Sequence, residues 1–190
     1  MNPTVRILLP TLFLVGCAAE PQPPAIVLMD VDGLPRVPLQ ASVETDVSVT
    51  IFITTDCPIA NGYTPQIQEL IASYAAKPVR FFLVHVDPEV TADDAREHAR
   101  EFGHTASILL DPEHLLVNAA GATNTPDAAV FVGETLHYCG RINDWYGDLG
   151  RKRPQPTTRD LADAIDAALA NKPVAKPWPP AVGCTIADLR

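Results

Sequence analysis

The sequence predicts an α/β domain whose central mixed β-sheet is flanked by helices. Strand-type apolar runs alternate with helix-type segments through the middle of the chain, and two further strand-type runs separated by a short turn follow them. Strands joined through helices lie parallel with right-handed crossovers, so the alternation predicts a mostly parallel sheet. The closing pair adds antiparallel strands. The predicted order is a β-hairpin, then β-α-β-α-β-α-β-β-α, then a proline-rich C-terminal strap.

The chain enters the domain through a hairpin and a central strand. Residues 25–29 and 37–39 flank an Asp-Gly turn, which predicts the hairpin. Residues 47–54 form a nearly continuous β-branched run, which is typical of a strand buried on both faces. Residues 64–76 carry apolar side chains at positions i, i+3, i+4 and i+7, and this spacing predicts an amphipathic helix.

The remaining elements continue the alternation up to the tail. They are a strand at 79–86, a helix at 92–102, a strand at 106–110, a helix at 113–120, hairpin strands at 128–132 and 136–142, and a helix at 159–170. Thr91 and Thr158 are predicted N-caps, and Gly103 and Gly121 are predicted helix ends. From residue 172 the chain is rich in proline, which predicts an extended strap.

The N-terminus has the pattern of a targeting segment. Arg6 precedes a short apolar run at residues 7–14, which is too short to span a bilayer because spanning takes roughly 20 residues. The tetrapeptide Leu-Val-Gly-Cys ending at Cys17 resembles the lipobox of bacterial lipoproteins. That resemblance implies a signal peptide at residues 1–17 and lipidation of Cys17. An ordinary secretory signal that contains a cysteine is the alternative.

Length and charge bound the rest of the chain. Residues 18–24 are a proline-containing tether, and residues 25–190 have the length of one domain. The net charge of −9 argues against nucleic acid or an anionic membrane surface as a partner. We therefore expect an exported protein of the cell envelope that faces the periplasm and contacts the membrane only through its lipid anchor.

Cys57 is the candidate active centre. It follows the predicted central strand and precedes Pro58 and a helix-type segment. The amide groups of a first helical turn favour thiolate over thiol, and the thiolate is the nucleophilic form. A buried structural cysteine is the alternative for a lone thiol beside a strand.

The other cysteines make redox chemistry the favoured use of Cys57. Apart from Cys17, the chain has Cys57, Cys139 and Cys184, so at most one disulfide can form and at least one thiol stays free or pairs transiently. Cys139 lies in a predicted hairpin strand, where a core or sheet-face position is expected. Cys184 follows a glycine in the proline-rich tail, which could fold over the domain.

The element order, the Cys-Pro after the first core strand and Thr125-Pro126 before the hairpin together resemble the thioredoxin fold over residues 47–170. More narrowly, they resemble the redoxin group, which includes the alkyl hydroperoxide reductase/thiol-specific antioxidant proteins. The resemblance implies a cis peptide bond at Pro126, facing the reactive cysteine. The motifs DCPIxNxY, TP, GRI(D/N) and GCxI are similar to those of exported bacterial redoxin-like proteins; they stand at 56–63, 125–126, 140–143 and 183–186.

Two departures from the family patterns narrow the chemistry. Thioredoxin-type oxidoreductases use Cys-x-x-Cys, but Ala60 stands three residues after Cys57, so no local cysteine can resolve a mixed disulfide. Peroxiredoxins use Pro-x3-Thr-x2-Cys; Thr54 matches the threonine, and Thr50 replaces the proline. A distant cysteine must then resolve, and Cys184 is favoured over Cys139.

Several neighbours of Cys57 are candidate pocket residues. Asp56 could raise the thiol pKa or relay a proton, Asn61 could hydrogen-bond within the pocket, and Arg141 could supply positive charge or form a salt bridge. Thr54 is expected to support the pocket by hydrogen bonding. The five histidines show no metal-ligand spacing and are expected mainly at the surface. The basic run at residues 151–153 is expected to precede or cap the last helix.

The leading hypothesis is thus a redoxin in which Cys57 attacks a protein disulfide or a peroxide, and Cys184 or Cys139 resolves the product. That chemistry needs no cofactor, and the histidine spacing predicts no metal. One alternative is a non-catalytic binding module with a structural Cys57–Cys184 disulfide. A copper-binding assembly factor is the other, although position 61 is Asn where related copper carriers have a second Cys.

Overall fold

The computed structural model describes residues 25–40 and 47–187. The predicted signal peptide, the lipidation site Cys17 and the tether at 18–24 lie outside these residues. Among the residues that are described, no helix has the length and apolar character needed to cross a membrane.

Strands and helices alternate as the sequence predicts. The N-terminal part contains β1 (Leu28–Asp30), β2 (Pro35–Arg36), β3 (Val47–Ile53), α1 (Pro58–Gly62), α2 (Thr64–Ser73), β4 (Val79–His85) and α3 (Ala92–Phe102). The C-terminal part contains β5 (Ser107–Leu110), α4 (Leu115–Ala120), β6 (Asn124–Thr125), β7 (Ala128–Val132), β8 (Thr135–Gly140), β9 (Tyr146–Asp148), β10 (Arg151–Lys152), α5 (Asp160–Leu169) and β11 (Cys184–Thr185).

The main sheet has the order β2-β1-β5-β4-β3-β7-β8. Strands β3, β4 and β5 run parallel, as their helical connections require, while β1 and β7 lie antiparallel to their neighbours. The hairpin of β7 and β8 supplies the antiparallel edge. The prediction of a mixed sheet with an N-terminal hairpin and a closing hairpin is confirmed.

Strand β3 divides two apolar cores. Ile51 and Ile53 pack with Ile165 of α5 on one face, and Phe52 packs with Leu116 of α4 on the other. Successive side chains of a strand point to opposite faces, so an apolar run buried on both sides is what two cores demand. This arrangement fixes the C-terminal end of β3, and therefore the loop that carries Cys57, between two packed layers.

Proline divides the helix-type segment after Cys57 into two helices. Tyr63 ends α1 and begins α2, and α2 has Pro65 in its first turn, where the missing N–H is not needed. The predicted helix at 64–76 begins where expected and ends earlier, at Ser73. Helix α3 matches its predicted bounds, because Thr91 and Asp94 form a reciprocal capping box and Gly103 takes a left-handed conformation at its end.

Three local predictions are wrong. The second strand of the N-terminal hairpin is β2, and residues 37–39 follow it rather than form it. Helix α4 starts at Leu115, two residues after the predicted start. Arg159, not Thr158, is the N-cap of α5; the Thr158 hydroxyl instead donates to Asp160. The basic run precedes α5 and is exposed, as expected, and it contributes Arg151 and Lys152 to strand β10.

Candidate functional site

Cys57 caps the N-terminus of α1 with its sulfur. Its backbone is extended, and Pro58 occupies the first helical position, where proline is favoured. The backbone N–H of Ala60 donates to Cys57 Sγ at 3.4 Å. The residue that replaces the second cysteine of a Cys-x-x-Cys motif therefore supports the thiol through its main chain.

The loop between β6 and β7 contacts the same sulfur. The Thr125–Pro126 peptide bond is cis, as the family resemblance implies. Directly before it, the Thr125 carbonyl oxygen accepts a hydrogen bond from Cys57 Sγ at 3.4 Å. Both Thr125 and Pro126 are buried. The Cys-Pro and Thr-Pro pairs, 68 residues apart, thus meet at one place.

The C-terminal tail brings Cys184 to this place. Strand β11 pairs antiparallel with β6, and Cys184 lies opposite Thr125. The Ile186 N–H donates to the Thr123 carbonyl oxygen at 2.9 Å and continues the pairing. The thiols of Cys184 and Cys57 influence each other's ionisation, and all three described cysteines are free thiols in this structure.

Gly183 allows this close approach. A Cβ atom at position 183 would lie 1.7 Å from the Thr125 carbonyl oxygen and 3.2 Å from the Pro126 nitrogen. Both atoms that this Cβ would meet belong to the backbone, so a side-chain rotation could not relieve either contact. The glycine of the GCxI motif is therefore needed for the tail to lie against the cis peptide.

Asp127 joins the tail to the loop that holds Thr125. One carboxylate oxygen accepts from the N–H groups of Thr123 and Asn124, and the other accepts from the N–H of Ala181 at 3.2 Å. Further along, the Arg141 N–H donates to the Pro179 carbonyl oxygen at 2.9 Å. The strap is thus bound at points independent of Cys184. The sequence interpretation did not include Asp127, although an Asp that bonds the backbone of its own turn is a recurring loop signal.

The two contacting thiols have opposite acid–base properties. Cys57 is 0% exposed, and burial, the largest influence, opposes its ionisation. Hydrogen bonds from the Cys184 thiol, the Thr125 side chain and the backbone outweigh burial, so the pKa of Cys57 lies below its ordinary value. Burial, the hydrogen bond to Cys57, and the charges of Cys57 and Asp56 raise the pKa of Cys184 to about 11. We call Cys57 and Cys184 the thiol pair.

The predicted pocket residues differ in whether they are exposed and in whether they act on the thiol pair. Asp56 and Pro58 are exposed, and of these Asp56 influences Cys184 by its charge. Asn61 supports the loop rather than the sulfur: its side-chain N–H donates to the Thr55 carbonyl oxygen at 2.9 Å. The expected hydrogen bond of Thr54 does not form, since its hydroxyl is buried without a partner among the described residues.

Arg141 forms the salt bridge that was the alternative to a thiolate contact. Its Nε lies 2.8 Å from an Asp160 carboxylate oxygen, and both side chains are largely buried. Burial lowers and the Asp160 contact raises the pKa of Arg141, with a net increase. The guanidinium therefore joins the start of α5 to the end of β8.

Cys139 lies away from the thiol pair. It pairs with Ala129 across β7 and β8 and packs against the core that contains Phe52, whereas Cys57 belongs to the core on the other face. Burial, together with the charge of Asp127, raises the pKa of Cys139 to about 12. The expected sheet-face position of Cys139 is observed, and the sheet separates this thiol from Cys57.

An aromatic group packs beside α1. The Tyr63 ring lies 5.5 Å from the Trp145 ring and 5.4 Å from the Tyr146 ring, between centroids. Lys152 of β10 places its Nζ 3.7 Å from the Trp145 ring centroid. The small hairpin of β9 and β10 is thereby held against the helix that follows Cys57.

Four of the five histidines correct the expectation of surface positions, since His85, His98 and His114 are buried and His104 is half-buried. His85 at the end of β4, His98 of α3 and His104 form a buried imidazole cluster, with ring centroids 5.1 Å apart for the first two and 5.3 Å for the last two. Both ring nitrogens of His85 and of His104 are buried without a hydrogen-bond partner among the described residues. His98 Nε2 lies 2.9 Å from Asn61 Oδ1, so Asn61 joins the imidazole cluster to the Cys57 loop.

The described part of the chain gives the copper alternative no ligand set. Nowhere in residues 25–40 and 47–187 do three or more His, Cys, Asp or Glu side chains stand together in an arrangement that could hold a metal ion.

No protein-family model matches the chain, and no curated protein matches it either. Several solved structures, however, match the chain. A hypothetical protein from Sinorhizobium meliloti is 23% identical with a TM-score of 0.70, covering 86% of this chain and 90% of that one.

Two further solved structures are redox proteins by name. A putative thioredoxin from Neisseria meningitidis is 20% identical with a TM-score of 0.57 and covers 78% and 89% of the two chains. DsbF of Mycobacterium tuberculosis, solved in mixed oxidized and reduced forms, is 18% identical with a TM-score of 0.56 and covers 76% and 95%. Together with the strand order and the cis peptide beside Cys57, these neighbours show that the chain has the thioredoxin fold.

Proposed function

We propose that this protein is a thiol–disulfide oxidoreductase whose redox pair is Cys57 and Cys184. The observation that carries the proposal is the pairing of β11 with β6, which sets Cys184 opposite Thr125, the residue whose carbonyl oxygen accepts from Cys57 Sγ. Each thiol influences the ionisation of the other, so the two lie close together, as formation of a disulfide requires. Formation removes two electrons and two protons from the pair, and reduction returns them.

The likeness to DsbF, a protein solved in both oxidized and reduced forms, supports this choice among the functions that the thioredoxin fold can host. A fold alone does not establish an activity, so the proposal depends on the site. Within it, Pro126 shapes the surface beside Cys57, and Ala60 holds the sulfur through its N–H.

Reduction of an external disulfide follows from the acid–base difference within the thiol pair. Cys57 is 0% exposed, so this step requires the tail strand β11 to move away from β6. The exposed Cys57 thiolate then attacks one sulfur of the substrate disulfide, and the other substrate sulfur leaves as a thiolate. Cys184 then attacks the Cys57 sulfur of the mixed disulfide, releases the second substrate thiolate and forms the Cys57–Cys184 disulfide. Each step breaks one S–S bond and makes one.

The first step also prepares Cys184 for the second. Burial is the main cause of the high pKa of Cys184, and its hydrogen bond to Cys57 and the charge of Cys57 add to it. Once Cys57 carries the substrate it has no negative charge, so those two influences vanish. The pKa of Cys184 then falls below its resting value, and the resolving thiolate becomes more available.

A hydroperoxide is the second candidate oxidant. Thr54 stands three residues before Cys57, and its buried hydroxyl has no partner among the described residues and so keeps a donor available. Peroxide would convert the Cys57 thiolate to a sulfenic acid, and Cys184 would condense with it to give the disulfide and water.

We also propose that the protein is exported, lipid-anchored through Cys17 and exposed to the periplasm.

A redox titration tests the main proposal. The purified protein is equilibrated with reduced and oxidised glutathione at fixed ratios, and free thiols are counted by alkylation and mass spectrometry. We expect wild type and Cys139→Ser to lose two thiols together and reversibly, and Cys57→Ser and Cys184→Ser to show no such transition. The same four proteins are assayed for reduction of a peptide disulfide, where the Cys57 variant should be inactive.

Two results would contradict the proposal. A Cys57–Cys184 disulfide that resists dithiothreitol in the native state would support a structural bond in a binding module. Equal peptide reduction by wild type and Cys57→Ser would remove Cys57 from the chemistry. Oxidation by hydrogen peroxide in place of glutathione distinguishes the second oxidant.

A further inference from the structure

The two sulfurs of the thiol pair differ in access to solvent. Cys57 is 0% exposed, because α1, the Thr125–Pro126 loop and the tail enclose it. Cys184 lies on the outer strand β11 and is partly exposed. When a disulfide joins the two, the outer sulfur faces solvent and the inner one faces the protein.

We propose, on the basis of the thiol–disulfide function proposed above, that an external thiol reacts with the oxidised protein at Cys184 and that Cys57 is the leaving sulfur. The oxidised protein then acts as an oxidant of substrate thiols, and its point of entry is the tail cysteine rather than the cysteine at the helix. This assignment gives Cys184 a role beyond resolving.

Geometry supports this direction of attack. A thiolate displaces a disulfide sulfur along the line of the S–S bond, from the side opposite the leaving sulfur. Cys184 is partly exposed and can be reached from solvent, whereas Cys57 is 0% exposed and belongs to a buried core with Ile59 and Ala60. In the oxidised protein the disulfide itself keeps the tail over Cys57, so an external thiol cannot approach that sulfur. The Gly183 contact with Thr125 also fixes the tail backbone, so the outer sulfur is held in one place.

Leaving-group chemistry favours the same direction. The sulfur with the lower thiol pKa leaves faster. The Cys184 thiol cannot lower the pKa of Cys57 while it is part of a disulfide, but the Thr125 side chain and the Ala60 N–H still lower it. Burial is the largest of the influences that raise the pKa of Cys184, and it acts in both states. Release of Cys57 forms a thiolate that the Ala60 N–H and the Thr125 side chain already stabilise.

The reaction balances in two steps. A substrate thiolate attacks the Cys184 sulfur, the Cys57–Cys184 bond breaks, and Cys57 leaves as a thiolate while the substrate is bonded to Cys184. A second substrate thiolate attacks the substrate sulfur and releases Cys184, which takes a proton. The substrate has become a disulfide, and the protein is a dithiol. An external low-molecular-weight disulfide returns the protein to its oxidised form.

Trapping the first intermediate tests the inference on the protein with an intact redox pair. Cys139→Ser, which lacks only the distant thiol, is oxidised with glutathione disulfide, freed of small molecules and mixed with an excess of a peptide that contains one cysteine. Rapid acid quench followed by N-ethylmaleimide labels the freed sulfur, and peptide mapping locates both modifications. Glutathione as the thiol provides a second arm for a small substrate.

We expect the substrate adduct on Cys184 and N-ethylmaleimide on Cys57, in at least about tenfold excess over the reverse arrangement. Adducts placed mainly or equally on Cys57, in a protein that forms and exchanges its disulfide, overturn the inference and leave the proposed function standing. A protein that forms no Cys57–Cys184 disulfide overturns both. Wild type provides the check that the Cys139 substitution has not altered the outcome.

Discussion

The thiol pair and the imidazole cluster are two groups of ionisable side chains that differ in their hydrogen-bond partners. Cys57 receives hydrogen bonds from its surroundings, whereas His85 and His104 have buried ring nitrogens without partners among the described residues. Burial lowers the pKa of His85 to about 3 and that of His104 to about 4, and the neighbouring imidazoles add to the effect.

A lowered pKa favours the charged form of a thiol but the neutral form of an imidazole, so the same direction of shift has opposite consequences at the two sites. For a thiol, lowering favours the charged form, so the protein stabilises the Cys57 thiolate with hydrogen-bond donors. For an imidazole, lowering favours the neutral form, so the protein excludes charge from His85 by burial. The first arrangement creates a nucleophile, and the second creates a sensitivity to acid.

The largest expected effect is acid destabilisation through the imidazole cluster. The unfolded chain binds a proton at each of these histidines near pH 6.5, while folded His85 does so only near pH 3. Stability is therefore complete above the unfolded pKa and is lost as pH falls towards the folded pKa. His85 alone accounts for about 2 kcal/mol between pH 7 and pH 5 and about 4 kcal/mol by pH 3.

Urea denaturation at pH 7 and pH 5 measures this loss. His85→Leu should remove about 2 kcal/mol of it. His137→Gln, which changes a partly exposed histidine of β8 outside the cluster, should retain the wild-type loss. An unfolding free energy that falls equally in wild type and His85→Leu would show that burial of His85 does not exclude its charge.

The next effect concerns the thiol pair and comes from a single methyl group. Gly183→Ala places a Cβ against the Thr125 carbonyl, so β11 should leave β6 and carry Cys184 away from Cys57. We expect the equilibrium constant for the Cys57–Cys184 disulfide against glutathione to fall about a hundredfold, as proximity is lost.

Gly147→Ala is the matched control for that substitution. A Cβ at position 147 would meet only the Arg153 side chain at 4.0 Å. Its disulfide equilibrium should equal that of wild type. A Gly183→Ala protein that also retains the wild-type equilibrium would mean that the tail can reach Cys57 without the glycine contact.

The smallest effect lies at the residue that joins the two regions. Asn61→Ala leaves the Thr55 carbonyl without its side-chain donor and His98 Nε2 without its partner. We expect the unfolding free energy at pH 7 to fall by about 1 kcal/mol, together with a slower reaction of the thiol pair. Asn118→Ala, on the exposed side of α4, is the control and should change neither quantity. If Asn61→Ala behaves like Asn118→Ala, the two regions are energetically independent.

The fold was predictable because its signals are local. The β-branched run of β3, the capping residues of α3 and the turn between β7 and β8 are each contained in about ten residues of sequence. Cys57 was predictable for the same reason, since it stands where a strand ends and a proline begins a helix.

Contacts between distant residues were less accessible. Strands β6 and β11 have two residues each and form only because they pair with one another across the length of the domain, so neither has a strand pattern of its own. The imidazole cluster brings together histidines from β4, α3 and the following loop, and no spacing in the sequence indicates that they meet. The hydroxyl of Thr54 was misjudged because sequence proximity to Cys57 says nothing about its direction.

The contact between Cys57 and Cys184 also ties the electron content of the protein to its thermal behaviour. A bond between these positions closes a loop of 128 residues, counted from 57 to 184 inclusive, which holds most of the sheet. In the chain-entropy model such a closure is worth about 5 kcal/mol, which the thiolate interactions of the reduced form oppose. By linkage, the difference in unfolding free energy between the two forms equals the gap between the potentials of the folded and unfolded disulfide, with about 30 mV for each 1.4 kcal/mol. A pair of melting curves, one oxidised and one reduced, therefore reports how far, and in which direction, folding shifts the reduction potential of the thiol pair.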